Sequence, residues 1–275
     1  MKRTDYAKIA SKYDKSTFRG QNLPEPELAW IIAERGRARV LDVACGTGNW
    51  LAAQASEFGP DANLLGVDLS PAMLRQTRAK LRRQPLARSR AEKLPFGDGA
   101  FDLVTCRFAF HHFDDKPAAV DELARVLAPG GALVIANIAP EAMRGWWIYR
   151  AFPETRAIDA ERFWKVARIE RALVRRGFEV EVKLELTRKA QPLAVLVEEA
   201  HRRDASELAV LVDSVYRRRL AAMERARTAD PFARWTSEMA IVRWVALSSP
   251  RPATEAARSP RGARPPRRGR AAARG

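Results

Sequence analysis

The sequence is poor in cysteine and in histidine. Only two cysteines, Cys45 and Cys106, and three histidines occur among 275 residues. The cysteines have neither metal-ligand nor disulfide-framework spacing, so we expect buried thiols in a reducing cytoplasm and no bound metal. No apolar run approaches the roughly 18 residues of a transmembrane helix, and MKRTDYAKIASKYDK lacks an apolar signal region. We therefore expect a cytoplasmic protein without a membrane span.

The excess of 49 Lys and Arg over 33 Asp and Glu gives the chain a formal net charge of +16. Eight Arg and one Glu fall between residues 248 and 275, a stretch without large apolar side chains. Such a composition cannot bury enough surface to fold, so we predict a disordered Arg/Pro-rich tail there. Nucleic acid would bind this basic tail only weakly and non-specifically.

The segment VLDVACGTGNW, from Val40 to Trp50, carries the strongest local signal. An apolar strand runs into small residues and two glycines, and a helix follows at once. Such a turn presents backbone N–H groups and the positive end of a helix to a ligand. No Lys-Ser/Thr pair follows the glycines, which excludes a P-loop. Leu51 stands where the dinucleotide motif has its third glycine, which argues against NAD.

Two aspartates accompany this turn. Asp68 ends the second predicted strand, 20 positions after Gly48, where a carboxylate reaches both hydroxyls of a ribose. The alternative role for Asp68 is a turn or N-cap residue before Ser70. Asp42 lies inside the first predicted strand, where a charge is costly unless it is paired. Hydrogen bonds from the turn backbone or a ligand ammonium would satisfy it.

Predicted strands alternate with predicted helices along the first half of the chain. This rhythm indicates βαβ units and a parallel sheet covered on both faces. Further helices are predicted over 160–176, 193–201 and 206–227. The predicted strands cover residues 39–44, 63–67, 86–91, 101–106, 132–136, 178–189 and 238–247.

Four segments carry a family resemblance: LDVACGTGNW, GVDLSPAML, RAEKLPFGDGAFDLVTCRFAFHHF and ELARVLAPGGALVIAN. In this order they resemble class I S-adenosylmethionine-dependent methyltransferases, in particular the ubiquinone/menaquinone C-methyltransferase group. The resemblance runs roughly from Tyr13 to Asn137. It implies an α/β, Rossmann-like fold whose mostly parallel seven-stranded sheet has the order 3-2-1-4-5-7-6, with strand seven antiparallel. It also implies helices on both faces, a helical cover and S-adenosyl-L-methionine as cofactor.

The resemblance implies a set of cofactor-binding residues. One departure from the family is Ala44, where many members carry glycine. The implied residues are Asp42, Ala44, Gly46, Thr47 and Gly48 at the glycine turn, Asp68 on the ribose, Leu69 and Met73 beside the adenine, Ala91 and Glu92 at the adenine edge, and Arg107 and Phe108 at the methyl-transfer pocket.

Two histidines are candidates for catalysis. His111 or His112 could act as a general base for a hydroxyl or amine substrate. The alternative is that they shape the floor of the pocket or cap the helix predicted to begin at Lys116.

Three aromatic residues are candidates for a substrate lid. Trp146, Trp147 and Tyr149 follow the fifth predicted strand, at the sheet edge where such folds bind substrates. The alternative is core packing. In the N-terminal arm, Tyr13 and Arg19 are candidates for covering the cofactor.

These inferences predict an N-terminal helical arm over 1–38, a methyltransferase domain over 39–247 with a helical insertion at about 191–235, and the tail over 248–275. The expected function is methyl transfer from S-adenosylmethionine to an O, N or C nucleophile of a small organic substrate. One alternative is an RNA methyltransferase, which the isoelectric point of about 10.6 favours and the missing Asn/Asp-Pro-Pro-aromatic signature disfavours. Another is a non-catalytic basic binding module that retains the fold.

Overall fold

A seven-stranded sheet flanked by helices forms the centre of the computed structural model, which describes residues 4–6, 10, 13–15, 24–203 and 205–249. The strands are β1 (Ala38–Val43), β2 (Ala62–Asp68), β3 (Leu86–Arg88), β4 (Phe101–Arg107), β5 (Leu127–Ile138), β6 (Glu179–Pro192) and β7 (Arg234–Leu247).

The strand order is β3-β2-β1-β4-β5-β7-β6. Strands β1 to β5 pair in parallel, whereas β7 runs antiparallel to both β5 and β6. The predicted Rossmann-like sheet is thereby confirmed. Because β1 pairs with both β2 and β4, chain connections diverge on either side of it and leave a crevice at the carboxyl ends of these strands.

Helices cover the sheet and are positioned by local signals. Ser70 accepts a hydrogen bond from the Met73 amide at the start of the third helix, and Asp115 caps the fourth in the same way. Among the described residues the helices are α1 (Pro26–Arg35), α2 (Asn49–Phe58), α3 (Pro71–Lys80), α4 (Lys116–Val126), α5 (Trp147–Ala151), α6 (Thr155–Arg162), α7 (Val166–Val174), α8 (Leu193–Arg202), α9 (Ser206–Ala209) and α10 (Asp213–Ala229).

The helix predicted over 160–176 is two helices in the structure, α6 and α7. Phe163 adopts an extended backbone that ends α6. This break lets the Phe163 ring stack on His111 and lets Trp164 pack edge-on against Phe110. Tertiary packing of two aromatic rings therefore interrupts a segment whose local sequence favours one helix.

The two residues after β7 form hydrogen bonds with the first part of β5. The Gly131 amide donates to Ser248 Oγ at 3.0 Å, and the Gly130 amide donates to the Ser249 carbonyl at 3.2 Å. The rest of the predicted tail lies outside the described residues, and the domain bounds stay a prediction. No helix in the described part of the chain combines the length and apolar character needed to cross a bilayer.

Candidate active site

The turn between β1 and α2 adopts a backbone conformation that residues with side chains rarely take. Ala44, Gly46 and Gly48 have φ angles of 59°, 57° and 76°. A Cβ atom at Gly48 would also overlap the Thr77 Cγ2 methyl. Thr77 Oγ1 donates to the Gly46 carbonyl at 2.7 Å. The left-handed backbone at Ala44 carries a conformational cost of about 1–2 kcal/mol.

Asp68 joins the glycine turn to the end of β2. Its Oδ2 accepts a hydrogen bond from the Gly46 amide at 2.9 Å, and its Oδ1 accepts one from the Ser70 amide at 2.8 Å. Burial raises the pKa of this carboxyl, while the two backbone bonds oppose the rise. Each carboxylate oxygen has a second lone pair, so the group can still accept a pair of ligand hydroxyls.

A cavity of about 250 Å³ opens at the carboxyl ends of β1, β2 and β4. Its wall combines residues that follow these strands with residues from the N-terminal arm and from α6. The first group is Ala44, Gly46, Asp68, Leu69, Met73, Ala91, Glu92, Arg107, Phe108 and His112, and the second includes Thr4, Tyr6, Tyr13 and Arg162.

The cavity wall has the chemistry that an adenosine requires. Leu69 lines the cavity and is 45% exposed, which leaves an apolar face for a flat base. Asp68 supplies carboxylate oxygens for a ribose diol. Phe108 holds a left-handed backbone with φ of 52°, a conformation that costs energy and is concentrated at ligand sites. The residues present therefore fit the nucleoside part of S-adenosylmethionine.

Asp42, Thr47 and Gly48, although predicted to bind the cofactor, do not line the cavity. Asp42 is buried in β1, where its Oδ1 accepts a hydrogen bond from Thr105 Oγ1 at 2.8 Å. Burial raises the pKa of Asp42 to about 7, although the Thr105 bond favours the ionised form. Gly48 supports the turn by leaving space for Thr77. These three residues therefore lie outside the cavity wall.

Thr47 fastens the N-terminal arm to the glycine turn. Thr47 Oγ1 donates to Asp14 Oδ1 at 2.6 Å, and Asn49 Nδ2 donates to the same oxygen at 2.8 Å. Lys80 Nζ donates to Asp14 Oδ2 at 2.6 Å. The neighbouring Tyr13 lines the cavity, in keeping with the predicted covering role. Arg19, the second candidate in the arm, lies outside the described residues.

The two candidate catalytic histidines differ in position. His112 lines the cavity, and Arg162 Nη2 donates to its Nδ1 at 3.1 Å. Because arginine only donates, we assign the hydrogen to Nε2, which then donates to the Tyr6 hydroxyl. His111 is not part of the cavity wall; it stacks on Phe163 with centroids 4.0 Å apart, and burial lowers its pKa well below the usual range. His111 therefore lies away from the cavity wall and its general-base role stays a prediction, whereas both nitrogens of His112 are engaged.

The three aromatics predicted as a lid lie in the hydrophobic core. Trp146, Trp147 and Tyr149 are 6%, 6% and 4% exposed, and none lines the cavity. The Trp147 amide donates to Ser237 Oγ of β7 at 3.3 Å, and Tyr149 Oη donates to Asp159 Oδ2 at 2.9 Å. The structure places these rings in the core, which is the alternative to the lid, and burial against the sheet stabilises them there. The lid stays a prediction.

A buried ion cluster under Arg107 was missed by the sequence analysis. Arg107 Nη1 donates to Glu25 Oε2 at 3.3 Å, and Arg243 bonds both Glu25 and Glu27. Burial raises the pKa of Glu25, against the opposing charges of Arg243 and Arg107. This cluster fixes the Arg107 side chain at the cavity wall. Glu25 and Arg243 are 218 positions apart, so no local pattern could reveal the contact.

No group of three or more His, Cys, Asp or Glu side chains in the described part of the chain could hold a metal ion. The chemistry of the cavity rests on its carboxylates, its aromatic and aliphatic walls and the guanidinium groups of Arg107 and Arg162.

Residues 41–135 match the family model described as a methyltransferase domain. The sheet order and this match resemble those of the class I S-adenosylmethionine-dependent methyltransferases. Within that class it is similar to the demethylmenaquinone methyltransferase of Thermus thermophilus, with 44% identity over 143 residues, and to that of Lactiplantibacillus plantarum, with 42% identity over 142 residues. These alignments cover 49% and 46% of this chain and 64% and 57% of the relatives. The chain thus spans less than two thirds of the length of either relative.

Solved structures agree in fold. The YcgJ protein of Bacillus subtilis superposes with a TM-score of 0.57 at 20% identity, covering 81% of this chain and 98% of that one. The phosphoethanolamine N-methyltransferase 2 of Haemonchus contortus, solved with S-adenosyl-L-methionine, gives a TM-score of 0.55 at 21% identity, with coverage of 88% and 57%. Both likenesses concern the fold alone.

Proposed function

We propose that the protein transfers a methyl group from S-adenosylmethionine to a nucleophilic atom of a small aromatic acceptor of the reduced-quinone type. The observation that carries the proposal is the single cavity wall in which the adenosine-compatible residues adjoin Phe108, His112 and Arg162. The similarity to two demethylmenaquinone methyltransferases supports a quinone-type ring. A cavity of about 250 Å³ is better suited to a small-molecule acceptor than to a polymer.

When bound, S-adenosylmethionine supplies an activated methyl group on sulfur. The residues that would hold it are Asp68 on the ribose and Leu69 and Met73 beside the base. The protein's own contribution is orientation and exclusion of water. Tyr6 and Tyr13 of the arm lie over the cavity wall for this purpose, and the Asp14–Lys80 ion pair anchors that arm.

His112 has a positioning role in this mechanism. Its Nδ1 accepts from Arg162, and its Nε2 hydrogen is directed at Tyr6. With both nitrogens engaged, His112 has no free lone pair for an acceptor's proton. We infer that His112 aligns the Tyr6 ring against the acceptor and that its imidazole is neutral beside Arg162.

The test uses the full chain with methyl-labelled S-adenosylmethionine and demethylmenaquinol bearing a short isoprenoid side chain. We expect label in the quinol product, and NMR of that product identifies the atom methylated. A parallel incubation with RNA tests the alternative substrate. Asp68→Asn is the matched control, because it keeps the shape of the side chain and removes its charge.

We expect Asp68→Asn to weaken S-adenosylhomocysteine binding by about 10-fold or more, since charge-assisted hydrogen bonds contribute about 1.5–3 kcal/mol. Calorimetric titration measures this affinity. Absence of S-adenosylhomocysteine binding in the wild type, or label in RNA and not in the quinol, would contradict the proposal.

A further inference from the structure

Arg162 is a buried cation on the cavity wall, and one of its donors is unused. It ends α6, is 2% exposed and lines the cavity. Its Nη2 donates to His112 Nδ1 at 3.1 Å and to Ser206 Oγ at 3.0 Å. Its Nη1 is buried and has no hydrogen-bond partner among the described residues. Buried guanidinium groups ordinarily satisfy their donors, so an unused one at a cavity points to a ligand.

No carboxylate of the described residues lies within ion-pair distance of Arg162. Two buried acids are found nearby but face other groups. Asp159 Oδ2 accepts from Tyr149 Oη at 2.9 Å, and Glu207 Oε2 accepts from Ser206 Oγ at 3.1 Å. Burial raises the pKa of Asp159 to about 7 and the charge of Glu207 adds to the rise, while the charge of Arg162 opposes it without direct contact. The charge of Arg162 is left without a contacting counter-ion.

His112 does not provide a counter-ion for Arg162. The hydrogen bond from Arg162 requires a lone pair on Nδ1, and this requirement keeps the imidazole neutral. The guanidinium itself stays charged at any working pH. The wall near His112 therefore carries a cation without a contacting carboxylate, although Asp114, which is paired with Arg90, also lines the cavity.

We propose that Arg162 binds a negatively charged oxygen of the methyl acceptor and so selects acceptors that carry an ionised hydroxyl or a carboxylate. The proposal rests on the proposed function and names the substrate chemistry of the same cavity. Arg162 binds the oxyanion through its Nη1 hydrogens, while Nη2 stays on His112 and Ser206. Ionisation of a ring hydroxyl would also place more electron density on the ring atoms that take the methyl group.

Arg162 comes from a segment beyond the family match over residues 41–135. The cofactor-binding side of the cavity is shared with the family, whereas this part of the wall is supplied by the second half of the chain. Acceptor selection by α6 is consistent with that division.

The test measures binding to the full chain saturated with S-adenosylhomocysteine. The probes are 2-naphthoate and 2-naphthamide, which have the same ring and nearly the same shape but differ in charge. We expect the wild type to bind 2-naphthoate about 10- to 100-fold more tightly, as befits a charge-assisted bond at a buried site. A third probe, a nitrophenol that ionises near neutral pH, separates the two oxyanions. Its affinity rises as it ionises if a phenolate is accepted, and stays flat if only a carboxylate is.

Three variants complete the test. Arg162→Gln should abolish the preference for 2-naphthoate with little change for 2-naphthamide and for S-adenosylhomocysteine. Arg162→Lys keeps the charge and should retain a reduced preference. Ser206→Ala, the matched control, removes one partner of Arg162 but not its charge, and should keep the preference within about twofold.

Equal binding of the two naphthalene probes by the wild type would overturn the inference, as would an equal loss of both in Arg162→Gln. Should Arg162→Gln fail to fold, the wild type and Arg162→Lys decide the question, since a charge-independent site gives no preference in either. Failure of the proposed function is separate, because it appears as absent S-adenosylhomocysteine binding or absent methyl transfer.

Discussion

Asp42→Asn is expected to stabilise the protein above neutral pH and to do so much less in acid. The wild-type carboxyl is 3% exposed and receives a hydrogen bond from Thr105 at 2.8 Å. Burial, as the largest cause, raises its pKa from 3.8 to about 7, and the nearby charges of Asp68 and Glu25 add to the rise. Asparagine has the same shape and can still accept the Thr105 hydrogen bond, but it carries no charge.

The sign follows from proton binding. The folded carboxyl holds its proton more tightly than the unfolded one, so the folded state binds more protons between the two pKa values. Stability conferred by Asp42 therefore falls as the pH rises through this window, from the unfolded pKa of 3.8 to the folded pKa of about 7. The free-energy equivalent of this difference is about 4 kcal/mol. Asparagine at position 42 removes the cost of burying an ionised carboxylate.

The assay is urea unfolding of wild type and variant at pH 5 and pH 8. The stabilisation by Asp42→Asn should be about 2.5 kcal/mol larger at pH 8 than at pH 5, and other titrating groups cancel in the comparison. Thr105→Val removes the hydrogen-bond donor to the ionised carboxylate, so the free energy of unfolding should fall more steeply between pH 5 and pH 8 than in the wild type. Thr105→Ser keeps the donor and should not change this fall. An effect of Asp42→Asn that is the same at both pH values would refute the reasoning.

Three further outcomes follow from the same structure. Gly48→Ala should lower the free energy of unfolding by about 1–3 kcal/mol through its left-handed backbone and the overlap with Thr77, and addition of Thr77→Ser, which removes the overlapping methyl, should restore part of it in urea titrations. Trp146→Ala should cost about 3–5 kcal/mol of stability with the acceptor KM changed less than twofold in steady-state kinetics; a raised KM at unchanged stability would revive the lid. Asp14→Asn should weaken S-adenosylhomocysteine binding a few-fold, and Lys80→Met should do the same if arm anchoring is the cause; calorimetry showing wild-type affinity in both would separate the arm from cofactor binding.

Local sequence patterns predicted the glycine turn and Asp68, which the structure brings together at the cavity. The glycine turn, the 20-position spacing to Asp68 and the alternation of strands with helices all lie within short stretches. The backbone needs of such a turn restrict the residues allowed there, so its chemistry is visible without the fold. The family resemblance added the order of the seven strands, which the structure confirms.

Local sequence patterns could not decide whether aromatic residues lie in a lid or in the core. Trp146, Trp147 and Tyr149 lie near the correct sheet edge, yet they pack inward. An aromatic side chain in a lid and one in a core have the same composition and similar spacing. Only the neighbouring elements decide which face is covered, and here β7 and α6 cover it.

Long-range contacts were decided by the tertiary structure alone. The Glu25–Arg243 pair joins residues 218 positions apart, and the Tyr6–His112 contact joins residues 106 apart. Arg162 carries no sequence motif, and in isolation it resembles the many arginines on helix faces. Its burial beside His112 gives it an unused donor and an unpaired charge. The sequence by itself predicted a cofactor site at the glycine turn, because that chemistry is local to one turn. What the acceptor meets depends on side chains that only packing brings together.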